Sequence, residues 1–176
     1  MVTGVDMPEL IGSHYESLYR YAYRLSGNEG DAADLTQETF GKAITRLRQL
    51  RDPSRAKSWL FQILRNVYLH KVRDDRRRRV VPLDSIGDLV DDPPEAVPEF
   101  DSATLQQALN ELDETFRTPL ILFYFEEFSY RDIADQLDLP IGTVMSRLAR
   151  AKGYLREKLS GSPETASTTT TTLDVV

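Results

Sequence analysis

Thr143, Ser146 and Arg150 recur at intervals of three and four, so on a helix they share one face, with Ala149 beside them and Met145 and Arg147 on the flanks. Short hydroxyls reach phosphates, and arginine reaches guanine edges or phosphates, so such a face suits the DNA major groove. The competing reading is a merely solvated polar face, which any helical hairpin has. A second group lies in the segment 59–79. There Trp59, Phe61 and Tyr68 could stack on unpaired bases, while Arg65, Lys71, Arg73 and the Arg76–Arg79 run could hold phosphates. Trp59 suits a core anchor at least as well. A third group is the stripe Asp34, Glu38 and Lys42 with Gln37 alongside, which by itself needs no more than an exposed face carrying one Glu–Lys pair.

Catalytic chemistry finds no comparable constellation. His14 and His70 are isolated in sequence and match no metal-ligand spacing, and cysteine is absent, so no metal or other cofactor is expected. Neither G-x-x-x-x-G-K-[ST] nor G-x-G-x-x-G occurs. The paired acids Asp91-Asp92 fall in a proline-rich stretch where nothing would tune them. The chain is therefore not expected to be an enzyme.

The elements that must position these groups read as helices throughout. Ile11, His14, Leu18, Ala22 and Leu25 space one helix, which Gly27-Asn28 breaks. Ala33, Phe40, Ala43, Ile44 and Leu47 space a second, ended by the turn Arg51-Asp52-Pro53-Ser54. Leu60, Ile63, Leu64 and Val67 space a third, which runs into the basic segment. Helix resumes near Ser102, with Leu105, Ala108, Leu109 and Leu112, and another spans Glu114 to Glu127, where Pro119 removes a backbone hydrogen bond unless it lies in the first turns. Tyr130, Ile133, Ala134 and Leu137 form an apolar stripe after a capping-box start at Ser129 and Asp132, and Asp138-Leu139-Pro140 stops that helix. Val144, Leu148, Ala151, Leu155 and Leu159 then give the inner face of a last helix. No alternating strand pattern of useful length occurs. The expected fold is all-α: two small helical domains, an N-terminal bundle over 7–80 and a helix-turn-helix domain over 102–160, joined by an acidic flexible linker over 81–101 and followed by a disordered tail over 161–176.

The formal net charge of −6 argues against a uniformly basic nucleic-acid binder, but the charge comes in blocks. Residues 1–80 hold about 15 Lys/Arg against about 10 Asp/Glu, whereas 81–111 hold about 8 acids and no base. An acidic middle is repelled by DNA or occupies a basic surface on a partner. No apolar run approaches the ~20 residues of a membrane span, and the N-terminus lacks a signal-peptide pattern, so a cytoplasmic chain with no membrane insertion is expected.

Taken together, three motifs resemble the extracytoplasmic-function (group IV) class of bacterial RNA polymerase sigma factors of the sigma-70 family. They are D34LTQETF40, S58WLFQILRN66 and the segment from Leu112 to Glu157, in that order. The match runs from about Glu9 to Leu159 and misses only the linker. It implies a transcription initiation factor that binds core RNA polymerase and directs it to promoters by reading −10 and −35 elements. Asp34, Gln37, Glu38 and Phe40 would then meet the β′ clamp helices, and the C-terminal domain the β flap. Asn66 and Arg65 would hold a flipped −10 base, whose pocket the 51–58 loop lines, with Arg55 and Arg73 near the same strand. Thr143, Ser146, Arg147 and Arg150 would face the −35 major groove, with Lys152 near phosphate. The acidic linker would thread toward the RNA exit channel, and an anti-sigma factor would be a further partner. The chain departs from the family at two places: Met145 stands where Arg or Lys is frequent, and Glu127-Phe128 where a Gly often precedes the helix-turn-helix.

Two other readings compete. A stand-alone helix-turn-helix regulator would bind operators as a dimer, with the N-terminal helices supplying the dimer surface. A nucleic-acid-processing enzyme would need a catalytic constellation. The near-neutral C-terminal domain favours a reader carried by polymerase, since tight independent DNA binding usually needs a net positive field.

Overall fold

The computed structural model describes residues 6–78 and 101–160. Expectations for the linker and the tail fall outside these residues, as do those for the side chains of the Arg76–Arg79 run.

Within the described residues seven α-helices follow one another: α1 Met7–Ser26, α2 Glu29–Arg46, α3 Ala56–Arg78, α4 Ser102–Glu111, α5 Glu114–Tyr124, α6 Tyr130–Leu137 and α7 Ile141–Ser160. Two single 3₁₀ turns, 47–49 and 53–55, lead from α2 into α3. Local chemistry sets most boundaries. Gly27 adopts a left-handed φ of 79° and donates its N–H to the Tyr23 carbonyl, which closes α1. The Asn28 side chain then accepts from the Asp31 N–H and opens α2. Asp101 and Asp113 cap α4 and α5 in the same way. Ser129 and Asp132 complete the reciprocal capping box at α6, whose C-terminus closes on Asp138 in the left-handed region. Pro119 is the sixth residue of α5, past the turn where a missing N–H costs nothing.

The inner face of α2 differs from the periodicity reading. Ala33 and Ile44 face outward, and the buried positions are Ala32, Leu35, Thr36, Thr39, Phe40 and Ala43. Thr36 and Thr39 are tolerated in the core because their hydroxyls donate to the Ala32 and Leu35 carbonyls at 2.7 and 2.6 Å. The stripes of α3 and α7 are buried at the positions their spacing indicates: Leu60, Ile63, Leu64 and Val67 in one, Val144, Leu148, Ala151, Leu155 and Leu159 in the other.

One apolar core runs through both halves. It joins Leu18, Tyr21 and Phe61 of the first half to Leu109, Phe128 and Ile133 of the second. Phe61 lies between Tyr21 and Phe128, with ring centroids 4.8 and 5.4 Å away. Polar contacts line the same seam. Lys57 Nζ donates to the Glu126 carbonyl at 2.7 Å, Arg117 donates to the Tyr68 hydroxyl at 2.6 Å, and Gln106 donates to the Arg24 carbonyl at 3.2 Å. The Arg24 guanidinium sits 3.7 Å from the centre of the Phe125 ring. Gly27 matters here as well as in its cap, because a Cβ there would come within 2.6 Å of the Asn110 side chain. The two helical regions thus pack directly on one another, a relationship no periodicity within either could indicate.

Candidate nucleic-acid interface

The outer face of α7 is built by its own pitch. With Val144, Leu148 and Ala151 inward, Met145 and Ser146 are exposed, while Thr143, Arg147, Ala149, Arg150 and Lys152 are half-buried. Pro140 ends the preceding turn and its carbonyl accepts from the Thr143 and Val144 N–H groups, which starts the helix. The Ser146 hydroxyl turns back to donate to the Thr143 carbonyl at 3.0 Å, so its proton is already engaged. The face therefore offers hydroxyl lone pairs, two arginines and one lysine within about three turns. Of this face, Met145 and Ser146 remain exposed while the two halves are packed together.

The second cluster is assembled across space. The connection between α2 and α3 supplies Arg51 and Arg55, and Ser58 and Trp59 follow in the first turn of α3; together they line a cleft of about 570 Å³. Its opposite wall comes from α6, through Asp132, Asp135 and Gln136. Asp52 stabilises the loop by accepting from the Ser54 N–H at 2.9 Å and the Ser54 hydroxyl at 2.7 Å, which holds its carboxyl below the usual carboxylate range. Gln136 is buried, and neither side-chain amide atom has a hydrogen-bond partner. Sequence reasoning missed these α6 residues, since nothing along the chain signals that α6 faces this loop.

Asn66, Arg55 and Arg73 are exposed, but Arg65 is not free. Its Nε stands 3.8 Å from Glu114 of α5, and both side chains are only about one-fifth exposed. Two of the three proposed stacking aromatics are corrected outright. Phe61 and Tyr68 are buried, Phe61 in the central stack and Tyr68 under Arg117, so neither ring is available to a base in this arrangement. Trp59 is half-buried and packs against the core. Lys71 pairs with Asp31 of α2 and helps fix α3 on α2.

The third cluster lies on α2. Asp34, Gln37 and Glu38 are exposed on one face, with Glu38 and Lys42 2.7 Å apart. Phe40 does not share that face. It is buried, and its ring stacks on Tyr15 of α1 at 6.2 Å, so it supports the polar stripe from beneath. Among the described residues no group of His, Asp and Glu side chains could hold a metal ion, and no helix is long and apolar enough to cross a membrane.

Comparison with known proteins supplies the frame for these clusters. Residues 10–78 match the family model for Sigma-70 region 2, and residues 102–155 match that for Sigma-70, region 4. The chain is 42% identical over 165 residues to the ECF RNA polymerase sigma factor SigE of Mycolicibacterium smegmatis, covering 90% of this chain and 63% of that one. It thus spans less than two thirds of SigE. It is 31% identical to the RNA polymerase sigma factor SigV of Bacillus subtilis, covering 85% of this chain and 89% of that one. Among solved structures, it superposes on the sigma factor RpoE in its complex with the anti-sigma factor NepR from Bartonella quintana with a TM-score of 0.73. That match is 30% identical and covers 89% of this chain and 98% of the other.

Proposed function

This chain belongs to the sigma-70 family of RNA polymerase sigma factors, in its ECF class, and from that premise we propose that it is a non-catalytic initiation factor that docks on core RNA polymerase and reads promoters at two points. The observation that carries the reading is the pairing, on one chain and in family order, of a polar α2 stripe with a helix-turn-helix whose second helix, α7, turns hydroxyls and arginines away from the core.

The division of labour follows from chemistry. Asp34, Gln37 and Glu38 present carboxylates and an amide to the clamp helices of the β′ subunit, with Phe40 and Tyr15 stiffening the helix behind them. Thr143, Ser146, Arg147, Arg150 and Lys152 face the −35 major groove, while the second half contacts the β flap. Asn66, Arg65, Arg55 and Arg73 engage the −10 strand, and the 51–58 loop receives the extruded base. Capture of that base offsets an unstacking cost of a few kcal/mol. Carrying both readers on one polymerase makes the second contact effectively intramolecular, so neither needs high affinity alone. The domain limits 7–80 and 102–160, a cytoplasmic location and control by an anti-sigma factor belong to the same reading. The resemblance to RpoE, seen in complex with an anti-sigma factor, supports the last of these.

The dimeric regulator is less well supported. The apolar stripes of α1 and α3 that would have supplied a dimer surface are spent on the common core. Run-off transcription from a promoter-bearing template, with and without core polymerase, tests the proposal. Transcripts that need both chain and core support it; tight sequence-specific binding by the chain alone at physiological salt sinks it.

A further inference from the structure

Among the described residues four large apolar side chains are exposed, and two of them, Ile141 and Met145, lie one turn apart at the start of α7, 49% and 50% exposed. At that spacing their Cβ atoms are about 5–6 Å apart and form one continuous patch. The patch is not a frayed edge of the core, because Val144 and Leu148 already fill the inward positions of the same turns. Apart from the small Ala149 and Pro140 at its two ends, its surround is polar. Thr143, Ser146 and Arg147 lie beside it, a setting suited to a polyanion rather than to an apolar protein partner.

Base edges in the major groove carry hydrogen-bonding groups at every pair but only one apolar group, the C5-methyl of thymine. The N-terminal residues of a second helix are the ones a helix-turn-helix brings to base edges. Ser146, their polar neighbour, has its proton engaged by the Thr143 carbonyl, which leaves the apolar side chains more of the discrimination. We propose that Met145, with Ile141 beside it, selects thymine at one position of the −35 element by packing on the C5-methyl group. This deepens the promoter-reading proposal and rests on it.

The test uses holoenzyme assembled from this chain and core polymerase. Duplex DNA randomised across the −35 and −10 windows is enriched by binding and sequenced. Each −35 thymine of the selected duplex, on either strand, is then replaced by deoxyuridine, which removes the methyl alone. The expected result is one thymine whose replacement weakens binding about three- to tenfold, in line with one methyl withdrawn from a packed site. Met145→Ala should bind the thymine duplex more weakly and be indifferent to the methyl, and Met145→Lys should lose the thymine from its selected sequence. Both positions are exposed, so unchanged thermal melts of the variants show that folding is not the cause. Indifference of the unaltered holoenzyme to deoxyuridine at every position overturns the inference, as does Met145→Ala holoenzyme that still senses the methyl. Enrichment of no sequence at all overturns promoter reading itself, and this inference with it.

Discussion

Arg65 Nε of α3 and Glu114 Oε1 of α5 stand 3.8 Å apart across the seam between the two halves. The separation is short enough for Coulomb attraction and too long for a hydrogen bond, and that Nε–H finds no hydrogen-bond partner. A largely buried ion pair with such geometry recovers little of its desolvation cost. It holds the arginine without binding it tightly, so a phosphate offering a good hydrogen bond competes well for it.

The packed arrangement therefore has to open for two-point reading. The −10 and −35 elements lie about 25 base pairs apart, or about 85 Å at 3.4 Å per pair. A compact body of this size has a radius of gyration of only about 14 Å. Cysteine is absent, so Ser58→Cys and Asp132→Cys, on opposite walls of the same cleft, give a unique pair of label sites. Labels there should be close in the free chain and separate by tens of Å in the holoenzyme–promoter complex. An unchanged distance would contradict simultaneous reading.

Glu127, just before the helix-turn-helix, where the family resemblance leads one to expect glycine, occupies a left-handed conformation, φ 60°. A non-glycine residue there carries strain of about 1 kcal/mol. Glu127→Gly relieves it, against the greater freedom glycine gives the unfolded chain. The side chain is exposed, so little else is lost. The expected net effect is a rise in thermal midpoint equivalent to a few tenths of a kcal/mol up to about 1 kcal/mol. A lower midpoint would show that Glu127 makes a favourable contact that outweighs the strain.

Glu126 is buried beside the seam, and burial raises its carboxyl above the usual 4.5, although Lys57, Arg20 and Arg24 pull it back. A carboxylate whose folded pKa is raised binds its proton more readily folded than unfolded. Stability then falls as pH rises from 4.5 through the folded pKa. Glu126→Gln should raise the melting temperature at pH 7 and flatten the pH dependence just above 4.5. Loss of stability at pH 7 would instead mean that the three cations outweigh the burial penalty.

Glu38→Arg places positive charge on the exposed α2 stripe and removes the Lys42 pair. That surface pair is worth only a few tenths of a kcal/mol, so folding should be nearly unaffected. Holoenzyme formation in a pull-down with core polymerase should drop at least tenfold. Normal assembly would take Glu38 out of the docking surface.

Arg150→Ala should cost about 1–3 kcal/mol of −35 discrimination if the guanidinium contacts a base edge bidentately. If the arginine holds phosphate, binding instead weakens uniformly across sequences, and the salt dependence falls by about one unit. Binding curves at several salt concentrations on matched and mismatched −35 duplexes separate the two outcomes.

What the sequence alone determined is what local chemistry encodes. The capping box at Ser129 and Asp132 and the inward stripe from Val144 to Leu159 are interactions within one or two turns, so spacing along the chain is enough to reveal them. The polar outer face of α7 follows from the same helix pitch. On α2 that logic failed locally, because Thr36 and Thr39 read as polar yet satisfy their hydroxyls on their own helix and turn inward. Only the tertiary structure decided that Phe61 and Tyr68 belong to a common core and that Arg65 meets Glu114. It likewise decided that α6 faces the α2–α3 connection and the start of α3. Those contacts join residues far apart along the chain, and no periodicity within a helix specifies which apolar stripe of one half will bury that of the other.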